Sequence, residues 1–183
     1  MKRMDDDGNP PPVLTSGSTQ PIVGLNGETL VEFTPFKAVA QKRKIYVTRE
    51  VETLLRTPGT ALMFPSVDAE RVLTNFYAGY GVGVSLKSAK NCQFERLEGV
   101  GEIWAACFRK PKPGWRLFGW FIEPDVLMLG AGYDRHALAG QKYSETAVHT
   151  QSDLLARFPN LPILQGEVPE DYITGLIWNL DED

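Results

Sequence analysis

The chain has 183 residues, 43% of them hydrophobic, with 19 Lys/Arg against 23 Asp/Glu and a formal net charge of -4; that length supports one domain with a real core plus extensions. No run of about 18 apolar residues is present, and the N-terminus "MKRMDDDGNPPP" sets acids and prolines where a signal peptide needs an apolar stretch. The expectation is a cytoplasmic protein with no membrane span.

Residues 1–27 are rich in Pro, Gly, Ser and Asp and read as a flexible N-terminal tail. "ETLVEFTPF", Glu28 to Phe36, alternates weakly and predicts a short strand added to an edge. "QKRKIYVT", Gln41 to Thr48, places a basic cluster before a β-type run. A helix is predicted from Thr48 to Arg56, with Val51, Leu54 and Leu55 at helical spacing. A second helix takes Ser66 as its N-cap and Asp68 and Glu70 in its first turn. Ala69, Val72, Leu73, Phe76, Tyr77 and Tyr80 then repeat on one face, which reads as core packing, and Gly79, Gly81 and Gly83 end the helix.

Strands follow. "CQFERLEG" leads in. "IWAACFR", Ile103 to Arg109, is apolar on both faces and reads as a central strand. "KPKPG" breaks the ladder, because proline supplies no donor. "WRLFGWFI", Trp115 to Ile122, is rich in β-forming aromatics, and "VLMLG", Val126 to Gly130, is a buried third run. Such short connections demand antiparallel neighbours. The expected fold class is therefore α+β, two helices packed on an antiparallel sheet of about four strands, within a core domain at residues 28–143. Residues 144–183 form an acidic C-terminal extension, in which "PEDYITGLIWNL" reads as a short amphipathic helix with Ile173, Leu176, Ile177 and Leu180 on one face.

Charge divides along the chain. Residues 36–143 hold sixteen Lys/Arg and ten Asp/Glu, a net +6, whereas residues 1–35 carry -3 and residues 144–183 carry -7. A basic middle between acidic ends suits a polyanionic partner. Strand alternation puts Arg116 on one face with Phe118, Trp120 and Ile122. Arg109, Lys110 and Lys112 stand just before or within the turn that joins the same hairpin. A buried guanidinium needs a carboxylate or phosphate partner. Ion pairs to Glu95, Glu98 or Glu102 would make these arginines structural, and an open concave face would make them functional. Cys92 and Cys107, the only cysteines, are too few for a disulfide framework or a self-contained zinc site and read as buried thiols. No Walker A loop, GxSxG elbow or HExxH motif is present, so the expectation is no cofactor and no metal.

The order of elements, with "FERLEGVGEIWAACFRKPKPGWRLFGWF" at its centre, resembles the RelE/HigB-like toxin superfamily. The matching residues are Leu97 to Gly99, Arg109, Gly114-Trp115-Arg116, and Val126 to Leu129, within a stretch from about Lys44 to His136. The resemblance implies a RelE-like fold and an mRNA endoribonuclease that inhibits translation, with RNA or the ribosome as target and a cognate antitoxin as protein partner. It implies catalytic roles for Arg109, Arg116, Tyr133, Arg135 and His136, and RNA contacts from Lys110, Lys112 and Trp115. Arginines would stabilise charge on the phosphate, a Tyr or His would move the proton, and an aromatic ring would stack a base. The alternative is a non-catalytic protein-interaction domain of phage or mobile-element origin.

Overall fold

The computed structural model of the chain describes residues 21–57, 64–87, 90–140, 142–175 and 177–181. Most of the predicted flexible tail, residues 1–20, lies outside them.

The elements run β1 (Val31–Glu32), β2 (Lys44–Val47), α1 (Arg49–Arg56), α2 (Ser66–Tyr77), β3 (Val82–Ser85), β4 (Phe94–Arg96), β5 (Trp104–Phe108), β6 (Trp115–Glu123), β7 (Val126–Asp134), α3 (Lys142–Arg157) and β8 (Ile177–Asn179). The strands form one mixed sheet in the order β1-β2-β7-β6-β5-β4-β3-β8. The expected RelE-like fold, two helices on an antiparallel sheet of about four strands, is thus corrected to three α-helices and an eight-stranded mixed sheet among the described residues. Only β4 to β7, together with β1 on β2, pair antiparallel; β2 on β7, β3 on β4 and β8 on β3 are parallel. The physical reason is connectivity. Hairpin-length links force β5, β6 and β7 antiparallel, but β2 reaches β7 only after the chain has passed through α1, α2 and the far half of the sheet, and that long route permits a parallel pair.

Local chemistry explains the helices. Thr48 caps α1 by accepting from the Val51 N–H at 3.4 Å. The N-cap of α2 is Pro65, with no side-chain cap bond, and Ser66 is its first residue. Gly79, at φ +74, turns the chain out of α2. Ala69, Val72, Leu73, Phe76 and Tyr77 are buried as the stripe predicts, while Tyr80 is exposed.

The sheet is covered on both faces. Helices α1 and α2 pack on Ile45, Val47, Trp104, Phe108, Trp115, Leu117, Phe121, Leu127 and Leu129. On the opposite face, α3 sets Leu154 among Trp120, Ile122 and Met128, and Ala147 beside Ala105, Cys107 and Phe118. The layers are helix, sheet, helix. Where the ladder slips between Phe118 and Gly119, Gly130 is the extra residue of β7. Its carbonyl accepts the Thr48 hydroxyl at 2.7 Å, and its bare Cα lets Leu154 close onto the sheet.

The described residues of the C-terminal extension, 144–175 and 177–181, are part of this architecture. After α3, Trp120 Nε1 donates to Pro162 O at 3.0 Å, and Tyr172 and Ile173 enter the core on the α1/α2 face. The amphipathic helix expected over 169–180 is instead a 3-10 turn, Pro169–Asp171, followed by edge strand β8. A short apolar run carries too little periodicity to tell these apart. Among the described residues no helix is long and apolar enough to cross a membrane.

Candidate functional site

Two adjoining features come from the β5–β6–β7 meander. The first is a cationic end. The β5–β6 connection carries Arg109, Lys110 and Lys112, and β7 ends at Arg135 and His136. The Arg135 N–H donates to Gly114 O at 2.9 Å, which ties the end of β7 to the start of β6. Gly114 sits at φ +86, and a Cβ there would run into the Phe108 carbonyl, so the tight return depends on glycine. Asp134 Oδ1 accepts the N–H groups of His136 and Ala137 at 2.8 and 3.0 Å and holds the following turn. Lys110, Lys112, Arg135 and His136 are exposed, and Arg109 is half-buried.

The second feature lies beneath, between the sheet and α3. Arg116 is 5% exposed, and its Nε stands 3.4 Å from Glu95 Oε1, an ion pair with both side chains buried. Arg116 Nη1 also donates to Trp115 O at 3.0 Å. The Tyr143 hydroxyl, from the first turn of α3, donates to the same Glu95 Oε1. Cys92 Sγ donates to Glu95 Oε2 at 3.4 Å. Cys107, the cross-strand partner of Arg116, completes the group. Arg109 closes it from the rim, with Nη2 donating to Cys92 O at 3.2 Å and lying 3.9 Å from Cys92 Sγ. Arg135 lies over the Tyr143 ring at 5.1 Å.

The electrostatics follow from burial and charge. Burial pushes the Cys107 thiol well up, and its hydrogen bond with Cys92 and the Glu95 charge add to this. Tyr143 is raised by burial and then by Glu95. For Arg116 burial opposes the charge, but Cys107, Tyr143 and Glu95 outweigh it, and the pKa is raised. Arg116 is therefore a paired, permanently charged structural cation.

Of the residues expected at a site, Arg109, Lys110, Lys112, Arg135 and His136 share one end of the sheet. Tyr133 lies nearby but turns to α3, its hydroxyl 3.0 Å from Thr150 Oγ1. Trp115 faces the other layer, edge-on to Phe64 at 5.2 Å between ring centres, so it is not placed to stack a base. Arg116 does not join Arg109 on an open surface; the two flank the Cys92–Glu95–Cys107 group. Sequence reasoning left Tyr143 and the pairing of the two cysteines unseen. Glu95, a carboxylate inside the buried run "CQFERL", was the available signal.

The ligand atoms of Cys92, Glu95 and Cys107 lie within 4.8 Å of one another. Two thiols and a carboxylate are a donor set that zinc accepts, but here one carboxylate oxygen, Glu95 Oε1, is already taken by Arg116 and Tyr143. A second guanidinium, Arg109, stands at the cysteine. The group is better suited to thiol chemistry than to a cation. Comparison with protein-family models, with curated proteins and with solved structures finds no match to the chain.

Proposed function

We propose that the chain acts on RNA, as a RelE/HigB-like toxin that cuts mRNA and inhibits translation, and that the RNA backbone meets the cationic end of the meander. One observation carries this reading: the Arg135–Gly114 hydrogen bond brings the cations of two successive connections to one solvent-facing end. A surface of this kind neutralises several phosphates at once. Arg109 and Arg135 are the guanidinium groups available to a phosphate, and His136 is the exposed group able to move a proton. Arg116 acts through Glu95 and Tyr143 as a positioning residue for the floor. Such a protein would work in the cytoplasm, where mRNA is translated, and would be held by a cognate antitoxin.

A second reading, a non-catalytic protein-interaction domain, is favoured by one specific observation. Arg116 is consumed by its ion pair to Glu95 rather than open to a ligand.

Cell-free translation of a reporter mRNA, with primer extension on the recovered message, separates the two. The expected result is discrete cleavage by wild type that the Arg135→Ala/His136→Ala variant loses while remaining folded. Intact message and normal translation with folded wild-type protein would overturn the RNA reading and leave the interaction reading.

A further inference from the structure

We propose that Cys92 and Cys107 are a reactive thiol pair that forms a reversible intrachain disulfide on exposure to a hydroperoxide, with Cys92 as the attacking sulfur and Cys107 as the resolving one. The chain has two cysteines. They come from different segments, the loop before β4 and the next-to-last residue of β5, yet their sulfur atoms lie within 4.8 Å of each other. A disulfide bond is about 2 Å long, so at most about 3 Å is left to close.

Their surroundings are unequal, and the inequality assigns the roles. Cys92 Sγ has a proton acceptor, Glu95 Oε2, at 3.4 Å and a guanidinium, Arg109 Nη2, at 3.9 Å. The Nε of that guanidinium is buried with no hydrogen-bond partner, so Arg109 keeps an unpaired N–H donor beside this group. A hydrogen-bonded carboxylate and a neighbouring guanidinium are the polar partners that set Cys92 apart from Cys107 as the attacking sulfur. Cys107 lies within a strand that is paired on both sides, with its thiol form favoured by burial. Cys92 is equally covered, at 1% exposed, but it lies outside the strand ladder beside Asn91, a non-glycine residue at φ +67. Local opening of that turn exposes the sulfur without breaking the sheet.

The chemistry balances with a hydroperoxide, ROOH, as the oxidant. Cys92 passes its proton to Glu95, and the thiolate attacks the terminal oxygen. The S–O bond forms, the O–O bond breaks, and the departing alkoxide takes the proton back from Glu95 to leave as ROH. The product at Cys92 is a sulfenic acid. The Cys107 sulfur then attacks the Cys92 sulfur, the S–S bond forms, and the S–O bond breaks. The Cys107 proton leaves with the hydroxyl as water. In sum, two thiols and ROOH give a disulfide, ROH and water; the sulfurs lose two electrons and the peroxide gains them.

Disulfide formation takes the S–H donor from Glu95 and the sulfur neighbour from Arg109. Since Arg109 reaches the cationic end, oxidation would alter that surface; this last coupling rests on the RNA reading, whereas the disulfide itself does not.

The test uses the full-length reduced protein with hydrogen peroxide. After quenching, the chain is denatured in N-ethylmaleimide and its intact mass measured. Expected is a monomer two hydrogens lighter that takes no maleimide, and that dithiothreitol returns to a form taking two. The reaction should run on the order of tenfold faster in the folded chain than in the same chain in guanidinium chloride. Cys107→Ser should accumulate a sulfenic acid at Cys92 that dimedone traps, and Arg109→Ala should slow the wild-type rate several-fold. Two maleimide adducts after oxidation, a disulfide only between chains, or equal rates folded and unfolded would each overturn the proposal. The wild-type comparison decides it even where a variant fails to fold.

Discussion

Arg116 and Glu95 meet 3.4 Å apart between the sheet and α3, with side-chain exposures of 6% and 8%. The pair joins β6 to β4 across β5, and Tyr143 fastens α3 to the same carboxylate. Removing one partner leaves the other charge buried and alone. Arg116→Ala should therefore lower the unfolding free energy by about 3–5 kcal/mol, and Arg116→Met with Glu95→Gln should recover much of that loss. Urea denaturation reads both; a loss for the single variant below about 1 kcal/mol would contradict the assigned structural role.

Tyr172 anchors the C-terminal segment. Its ring packs 4.8 Å from Trp104, its hydroxyl donates to Glu102, and it accepts from the Gly166 N–H at 2.7 Å and from Arg96 Nη1 at 3.1 Å. Burial first, and then the bond to Glu102, push its pKa up to about 12. The folded state holds this proton more tightly than the unfolded chain, where tyrosine titrates near pH ~10. The stabilisation is thus fully present below pH ~10 and is lost as pH rises through about 12. Denaturation midpoints should fall across that window, and Tyr172→Phe should start lower but lack this part of the decline.

Gly130 is the contact point between three elements. A Cβ at this position would overlap the side chain of Leu154, while the Gly130 carbonyl holds the Thr48 hydroxyl at 2.7 Å. Gly130→Ala should force α3 away from the sheet and cost about 1–3 kcal/mol. Adding Leu154→Ala should cost less in that background than in wild type, because the overlap is then relieved; a double-mutant cycle by chemical denaturation measures the difference.

The cationic end makes a quantitative prediction about salt. If Lys110 and Lys112 each meet one phosphate, replacing either by alanine should flatten the plot of log affinity against log salt by about 0.7 for single-stranded RNA. Binding to a labelled oligonucleotide at several salt concentrations gives the slope. An unchanged slope in both variants would remove the connecting loop from the RNA surface.

The sequence by itself determined the local pieces. Helical spacing placed α1 and α2, proline and glycine in "KPKPG" placed the hairpin, and the alternation in "WRLFGWFI" put Arg116 on one face with Phe118 and Trp120. It also determined that a buried arginine would need a carboxylate or phosphate partner, because an unpaired guanidinium in a covered sheet is too costly. The tertiary structure decided the rest. Parallel pairing of β2 with β7 and of β8 with β3 joins residues far apart in the chain, and no local period encodes such a partner. The three-residue strand "IWN" satisfies helical spacing as well as strand spacing until an edge is there to receive it. Cys92 and Cys107, fifteen positions apart in the chain, become neighbours only because β4 folds back on β5. Whether Arg116 met solvent or Glu95 depended on α3 covering its face, since burial and partner arise together when the layers close.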